Sequence, residues 1–317
     1  MDSVQFVGPL DRVLLLRTQP MLEALGPVQL AAIAQHAKER HYSRAETIMA
    51  TDAASQSVHL IVEGEVELVP GDHGPAQRIG AGEAVGFVQM LSRTDRRFEV
   101  TAVQETSTLE LDWDAQLDVC EEHFAVVMNY VRYLGRLLVD AQRTRGPRTA
   151  PPELPDSALA LAGNPNLIER IRVLSLSHAL SRRCLDALSE LAHHIDVLDW
   201  SPGTSIWRAG DAADDFLLLS SGTLRCRKAD GLEFTRHAGE LVGMHEALAG
   251  LERWHDAVSG DAGLALRIDV EPFFDILEDH FDLALDVLAS LAQELLAIRR
   301  QSAIEWSGIS DRSTSPP

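Results

Sequence analysis

The residues best able to hold a metal or act as a nucleophile in this chain are twelve histidines and three cysteines. Their spacing argues against both roles. A metal-dependent enzyme of the cupin type needs two histidines alternating on one strand, a nearby carboxylate and a third histidine on a later strand. His193 and His194 are adjacent, which on a strand would send them to opposite faces, and His237, His245 and His255 fall in a loop region. Cys120, Cys184 and Cys226 are too scattered for a zinc site or a disulfide framework. Gly-x-Ser-x-Gly elbows, Walker loops and paired carboxylates with a defined partner are all absent. The expectation is a protein without catalysis, metal or resident cofactor, with a cupin-like metal enzyme kept as an alternative. What does recur is a glycine followed ten residues later by an arginine. Gly86-Phe87-Val88-Gln89-Met90-Leu91 precedes Arg96, with Arg97 beside it, and Gly243-Met244-His245-Glu246-Ala247-Leu248 precedes Arg253. These arginines are either fixed positive charges placed for an anion or solvated charges on exposed loops.

That recurrence belongs to a longer one. Asp52 and Asp211 are 159 residues apart, Gly64 and Gly222 are 158 apart, and Glu121-Glu122-His123-Phe124 and Glu278-Asp279-His280-Phe281 are 157 apart. So slow a drift means two copies of one domain with few insertions. Each copy opens on a helical pattern, Leu22, Leu25, Leu30 and Ile33 in the first and Leu180, Leu185, Leu188 and Leu191 in the second, with Ser181 as N-cap. Short strand patterns follow: Val66 and Leu68 alternate with Glu65 and Glu67, and Leu224 and Cys226 alternate with Thr223 and Arg225. Frequent turn signals between them suit a sandwich or roll. Each copy closes on a long helix, with one stripe of Phe124, Val127, Met128, Val131, Leu134 and Leu138, and another of Phe281, Leu285, Leu288, Ala292 and Leu295. These stripes either pack on their own domain or pair across a homodimer. Five prolines between residues 144 and 166 mark a linker. The division expected is a first domain at 1–143, a linker at 144–166, a second domain at 167–306 and a disordered tail at 307–317.

With 317 residues the chain has room for two such domains. Its formal charge of −20 argues against a nucleic-acid partner, because phosphate binding is driven by counterions displaced from a basic surface. Anionic membrane surfaces are disfavoured for the same reason. Val13-Leu14-Leu15-Leu16 is far short of a signal-peptide core, and no apolar run reaches spanning length. A soluble protein of the reducing cytoplasm is expected.

The order of helix, strands with a glycine-anchored insert, and long helix resembles the cyclic-nucleotide-binding domain shared by catabolite-activator proteins and protein kinase A regulatory subunits. The likeness rests on Pro202-Gly203, Ile206, Gly210-Asp211, Asp214, Phe216, Leu219 and Gly222 in copy two. In copy one it rests on Glu46, Ile48, Asp52, Ile61 and Gly64, with Ala45 and Thr51 where the family usually has glycine. The resemblance implies an α+β fold of two tandem eight-stranded β-rolls (jelly rolls), each flanked by N-terminal helices and a long C-terminal helix.

The resemblance also implies a phosphate-binding cassette, Gly-Glu-x-Ala-Leu followed by an arginine and a small residue. In it, backbone N–H groups and the arginine face a cyclic phosphate while the glutamate accepts from the ribose hydroxyl. Carried over, the candidate ligand residues are Gly86, Phe87, Val88, Gln89, Arg96 and Arg97 in the first copy. In the second they are Gly243, Met244, His245, Glu246, Ala247 and Arg253. Trp306, Tyr130 or Tyr133 could cap a base. The chain departs from the pattern where Phe87 and Met244 replace the glutamate, and where Phe98-Glu99 and Trp254-His255 replace the small residues. The function implied is a regulatory protein of signal transduction that senses a cyclic nucleotide or related anion and acts through other proteins. The alternative is a scaffold that has lost its ligand. A helix-turn-helix after the last helix, common among relatives, is not expected, since the sequence runs only 17 residues beyond Arg300.

Overall fold

The computed structural model describes residues 8–50, 57–71, 76–93, 98–146, 159, 161, 163, 165–177, 179–180 and 185–312. Most of the expected linker, together with Ser181 and Cys184, lies outside them. The chain forms two compact units, Met1–Tyr130 with Ala292–Pro317, and Val131–Leu291.

In the first unit the eight strands are β1 (Lys38–Tyr42), β2 (Thr47–Met49), β3 (Ser57–Glu63), β4 (Glu65–Pro70), β5 (Gln77–Gly80), β6 (Ala84–Val85), β7 (Phe98–Ala102) and β8 (Thr106–Asp112). They pair antiparallel in the orders β1-β8-β3-β6 and β2-β7-β4-β5, which is a jelly roll. Alternation decides which face is inside: Val66 and Leu68 are buried and pack with Met49, Ile61, Phe98 and Val100, while Glu65 and Glu67 lie on the other face. The second unit repeats the roll with β9 (Asp196–Trp200), β10 (Ser205–Trp207), β11 (Asp215–Ser221), β12 (Leu224–Arg227), β13 (Glu233–Arg236), β14 (Leu241–Val242), β15 (Asp256–Ser259) and β16 (Gly263–Asp269). Its orders, β9-β16-β11-β14 and β10-β15-β12-β13, match the first roll strand for strand.

Helices α1 (Pro9–Arg17) and α2 (Pro27–His36) precede the first roll. The helical pattern expected from Leu22 through Ile33 is therefore broken. Pro27 at N1 and Gly26 at the N-cap start a new helix, because proline lacks the N–H a continuing helix would need, and Leu22 and Leu25 are buried in the turns before it. A short helix, α3 (Phe87–Leu91), sits between β6 and β7, and α4 (Trp113–Glu122) and α5 (Phe124–Arg145) follow β8. The second copy has α6 (Leu167–Leu174), α7 (Leu185–His193), α8 (Met244–Ala249), α9 (Val270–Asp279) and α10 (Phe281–Arg312). Helix α10 extends into the stretch expected as a tail. Leu185, expected among the buried residues of its helix, is exposed at the first position of α7.

The duplication extends to a side-chain bridge. Arg12 on α1 donates to the carbonyl of Ala37 at 2.8 Å, just past α2, and Arg170 on α6 donates to that of Ile195 at 2.9 Å, just past α7. In each copy a guanidinium takes a carbonyl at the C-terminal end of the next helix, where the helix dipole favours a cation.

The apolar stripes of both long helices are covered by the chain itself. Val131, Leu134, Leu138, Leu288, Ala292 and Leu295 are all buried. Each helix contributes to both units, since the division falls between Tyr130 and Val131 in α5 and between Leu291 and Ala292 in α10. Among the described residues no helix is long and apolar enough to cross a membrane.

The turn between β1 and β2 shows the cost of a missing glycine. Ala45 stands at φ 67° and donates to Ala102, where Gly203 stands at φ 81° and donates to Ser259 in the second copy. A left-handed backbone costs a residue with a Cβ about 1–2 kcal/mol. Ala45→Gly is therefore expected to raise the stability of the first unit by about 1 kcal/mol, read as a higher denaturant midpoint at unchanged slope.

Candidate functional site

Each roll runs from a two-residue strand straight into its insert, and the chain turns that corner at a left-handed glycine, Gly86 at φ 96° and Gly243 at φ 79°. Neither tolerates a side chain. A Cβ on Gly86 would come within 2.7 Å of the Ser57 carbonyl and 3.1 Å of the Met49 methyl, and one on Gly243 would overlap the guanidinium of Arg253.

In the second copy Arg253 is only 3% exposed, which sets aside, of the two alternatives for this arginine, the solvated loop charge. Nη1 donates to the Gly243 carbonyl at 3.1 Å, and Nη2 donates to the carbonyl and the carboxylate of Asp215 at 2.6 and 2.5 Å. The plane stacks over the Trp207 ring at 4.2 Å. Burial pulls the Arg253 pKa down, and Glu246 and Asp215 oppose it. One short loop thus fixes the insert's first residue, the first residue of β11 and a ring of β10.

Aromatic side chains fill the space beside it. Trp254 stacks on Phe234 with centroids 5.5 Å apart and an interplanar angle of 20°, and His255 lies 4.5 Å from Trp254 and 5.8 Å from Trp207. Glu246, Met244 and Ala247 are buried, and the Glu246 carboxylate lies 3.6 Å from His255 Nδ1. Burial, reinforced by Arg236 and Arg253, pushes the His255 pKa down to about 3, so this imidazole is neutral. His245 is half-buried, with Nδ1 3.0 Å from Gln142 of α5.

The first insert is apolar. Phe87 packs edge-on against Tyr130 at 5.0 Å, Val88 is buried, and Gln89 is half-buried. Burial raises the Tyr130 hydroxyl pKa well above its ordinary value. Arg96 and Arg97 lie outside the described residues, as does the side chain of Trp306. Deeper in the roll His59 sits between the hydroxyls of Ser57 and Thr108, each 3.1 Å away, and burial lowers its pKa to about 4. The buried thiols of Cys120 and Cys226 are pushed up to about 12, which makes them poor nucleophiles. Among the described residues no group of three or more His, Cys, Asp or Glu side chains is placed to hold a metal ion. A cavity of about 410 Å³ lies against the second roll, lined by Arg225, Arg227, Glu233, Asp256 and their neighbours.

The residues that complete this site, Asp215 and Trp207, escaped the sequence reading. Asp215 follows Asp214 at the head of an apolar run, a position that reads as a solvated strand end. Only the fold carries it to an arginine 38 positions away.

The Cyclic nucleotide-binding domain family matches residues 39–123 and 197–280, together more than half of the chain. The chain belongs to that family. Its two cyclic-nucleotide-binding domains stand in tandem, as the repeat implied. Over 95 residues, 29% of this chain, it is 33% identical to a protein of Rhodopseudomonas palustris named as a potassium channel protein, and it spans 23% of that protein's length. Among solved structures it is similar to the regulatory domain of Toxoplasma gondii PKA with cAMP, at 15% identity and a TM-score of 0.33, covering 86% of this chain and 95% of that one. It is also similar to the regulatory subunit of a cAMP-independent protein kinase A from Trypanosoma brucei, at 14% identity and a TM-score of 0.34, covering 98% and 95%. For the Thermus thermophilus Catabolite Activator Protein the identity is 23% and the TM-score 0.35, over 39% of this chain and 61% of that one.

Two predictions follow from the buried charges. Asp215→Ala leaves the guanidinium of Arg253 buried with carbonyl partners alone, and is expected to cost the second unit about 3–5 kcal/mol in denaturant unfolding. His59 and His255 are neutral when folded and protonate near their ordinary 6.5 when unfolded. As pH falls below that value the unfolded chain takes up protons that the folded chain does not. Each histidine therefore removes about 1.4 kcal/mol of stability per pH unit, down to about pH 4 for His59 and about pH 3 for His255. His255→Phe should flatten this slope for the second unit in unfolding curves taken between pH 7 and pH 4.5.

Proposed function

We propose that this chain is a non-catalytic regulatory protein of the cytoplasm whose cyclic-nucleotide-binding domains act through contacts with other proteins, their inserts held in place by the chain's own side chains. The observation that carries this reading is the engagement of Arg253. A cyclic phosphate would need that guanidinium, and Asp215 together with the Gly243 carbonyl already holds it. Trp207, Trp254 and His255 crowd the same space, and no acidic side chain stands directly after either glycine to accept a ribose hydroxyl. In the first domain Phe87 and Val88 offer no charge to a ligand. The overall charge of −20 suits basic protein surfaces better than nucleic acid.

A second reading, sensing of a cyclic nucleotide or related anion, is favoured by the retained left-handed glycines and by Arg253. It requires the phosphate to displace Asp215. If that opening costs about 3 kcal/mol, the apparent affinity falls on the order of a hundredfold.

Thermal unfolding with cAMP, cGMP and cyclic dinucleotides, paired with titration calorimetry, separates the two. The first reading expects no shift and no heat at millimolar nucleotide. A stabilising shift of several degrees, lost in Arg253→Met, would favour the sensor instead.

A further inference from the structure

The outer face of the second roll carries charge that the fold itself does not use. On the sheet β10-β15-β12-β13 the side chains of Leu224, Cys226, Phe234 and Ala257 belong to the core, so the residues alternating with them point away from it. Two rows result, set by the register across three strands. Arg225 of β12 stands between Thr235 of β13 and Val258 of β15, and Arg227 stands between Glu233 and Asp256. These six side chains line the cavity of about 410 Å³. The Arg227 row holds two carboxylates and one guanidinium, which lies 3.8 Å from Asp256, and so keeps a net negative charge. The Arg225 row holds a guanidinium beside a hydroxyl and a valine. Arg225 is exposed, and among the described residues it has no ion-pair partner.

The first roll serves as an internal comparison. Three and five residues beyond Gly64 stand Glu67 and Val69, where Arg225 and Arg227 stand beyond Gly222. Arg78 on the neighbouring strand lies 3.3 Å from Glu65 and 4.0 Å from Glu67. That face meets its own charges, so forming the roll does not require an unpaired arginine there.

We propose that this face of the second roll docks an extended segment of a partner protein that carries an acidic residue and, two positions on, a basic one. In an extended chain residues two apart share a face at a spacing of about 6.8 Å, which is also the spacing of the two rows along β12. An acid laid over the first row meets the Arg225 guanidinium with the Thr235 hydroxyl beside it, and a base laid over the second meets Glu233 and Asp256. The inference rests on the reading that the chain acts through protein contacts, and names one surface and the chemistry of what it takes.

Amide NMR titration of the full chain with end-blocked peptides tests it. The probes are Glu-Thr-Lys, with the two charges on one face when extended, Glu-Thr-Thr-Lys, with them on opposite faces, and the single-sign controls Glu-Thr-Glu and Lys-Thr-Lys. Expected are shifts confined to β12, β13 and β15, with Glu-Thr-Lys binding about fivefold or more tighter than the other three. Arg225→Glu changes an exposed side chain and makes both rows negative, so it should turn the preference to Lys-Thr-Lys. No shift at millimolar peptide, equal binding of Glu-Thr-Thr-Lys, or an unchanged ranking in Arg225→Glu overturns the proposal. Such a failure leaves the regulatory reading standing while nucleotides give no heat, whereas a nucleotide response lost in Arg253→Met overturns that reading whatever the peptides do.

Discussion

A guanidinium taken out of water must be given an anion and enough acceptors to use its N–H groups, and the second roll is organised around meeting that demand for Arg253. Asp215, only 29% exposed on its side chain, supplies the charge from the first position of β11. Gly243 supplies a carbonyl and, by having no Cβ, the room. Trp207 supplies a face. The strand β11, the corner into α8 and the edge strand β10 are pinned to one another through a single side chain. Loosening any of the three leaves a buried charge short of partners, which is why this arrangement holds as a unit.

The same economy explains the aromatic interior. Next to its arginine the second roll has Trp254 and His255, and their rings close on Phe234 and Trp207. The imidazole enters this place in its neutral form, since desolvation penalises the charged form most. The first roll fills its interior by another route, with mainly aliphatic side chains from Met49 to Val100 packing around the ring of Phe98. Two copies of one fold thus fill their interiors by different chemistry, one mainly with aliphatic packing and one with a buried ion pair and its surrounding rings.

Much of the fold was legible in the residues alone. Offsets of 157 to 159 announced the duplication, and alternation at Val66 and Leu68, and again at Leu224 and Cys226, placed the correct faces inside because a strand repeats every two residues. The helix boundary at Pro27 was misread because Leu22, Leu25, Leu30 and Ile33 keep an apolar rhythm across the break. All four are buried, two of them in turns, and periodicity reports burial more directly than hydrogen bonding. Ala45 is the complementary case. The missing glycine was visible, and the chain keeps the left-handed turn regardless because the β1–β2 corner is held by its neighbours.

What the sequence determined by itself was local and periodic: two copies, strands with one wet face, glycines at corners and an arginine ten residues beyond each. Whether that arginine faces solvent, a ligand or the protein's own carboxylate depends on which distant residue the sheets bring beside it. Asp215 and Trp207 lie 38 and 46 positions from Arg253, separations over which no pattern in the chain constrains contact. The contact of Gln142 on α5 with His245 on α8 is likewise a matter of three dimensions. An apolar stripe shows that a helix is covered and cannot show by what.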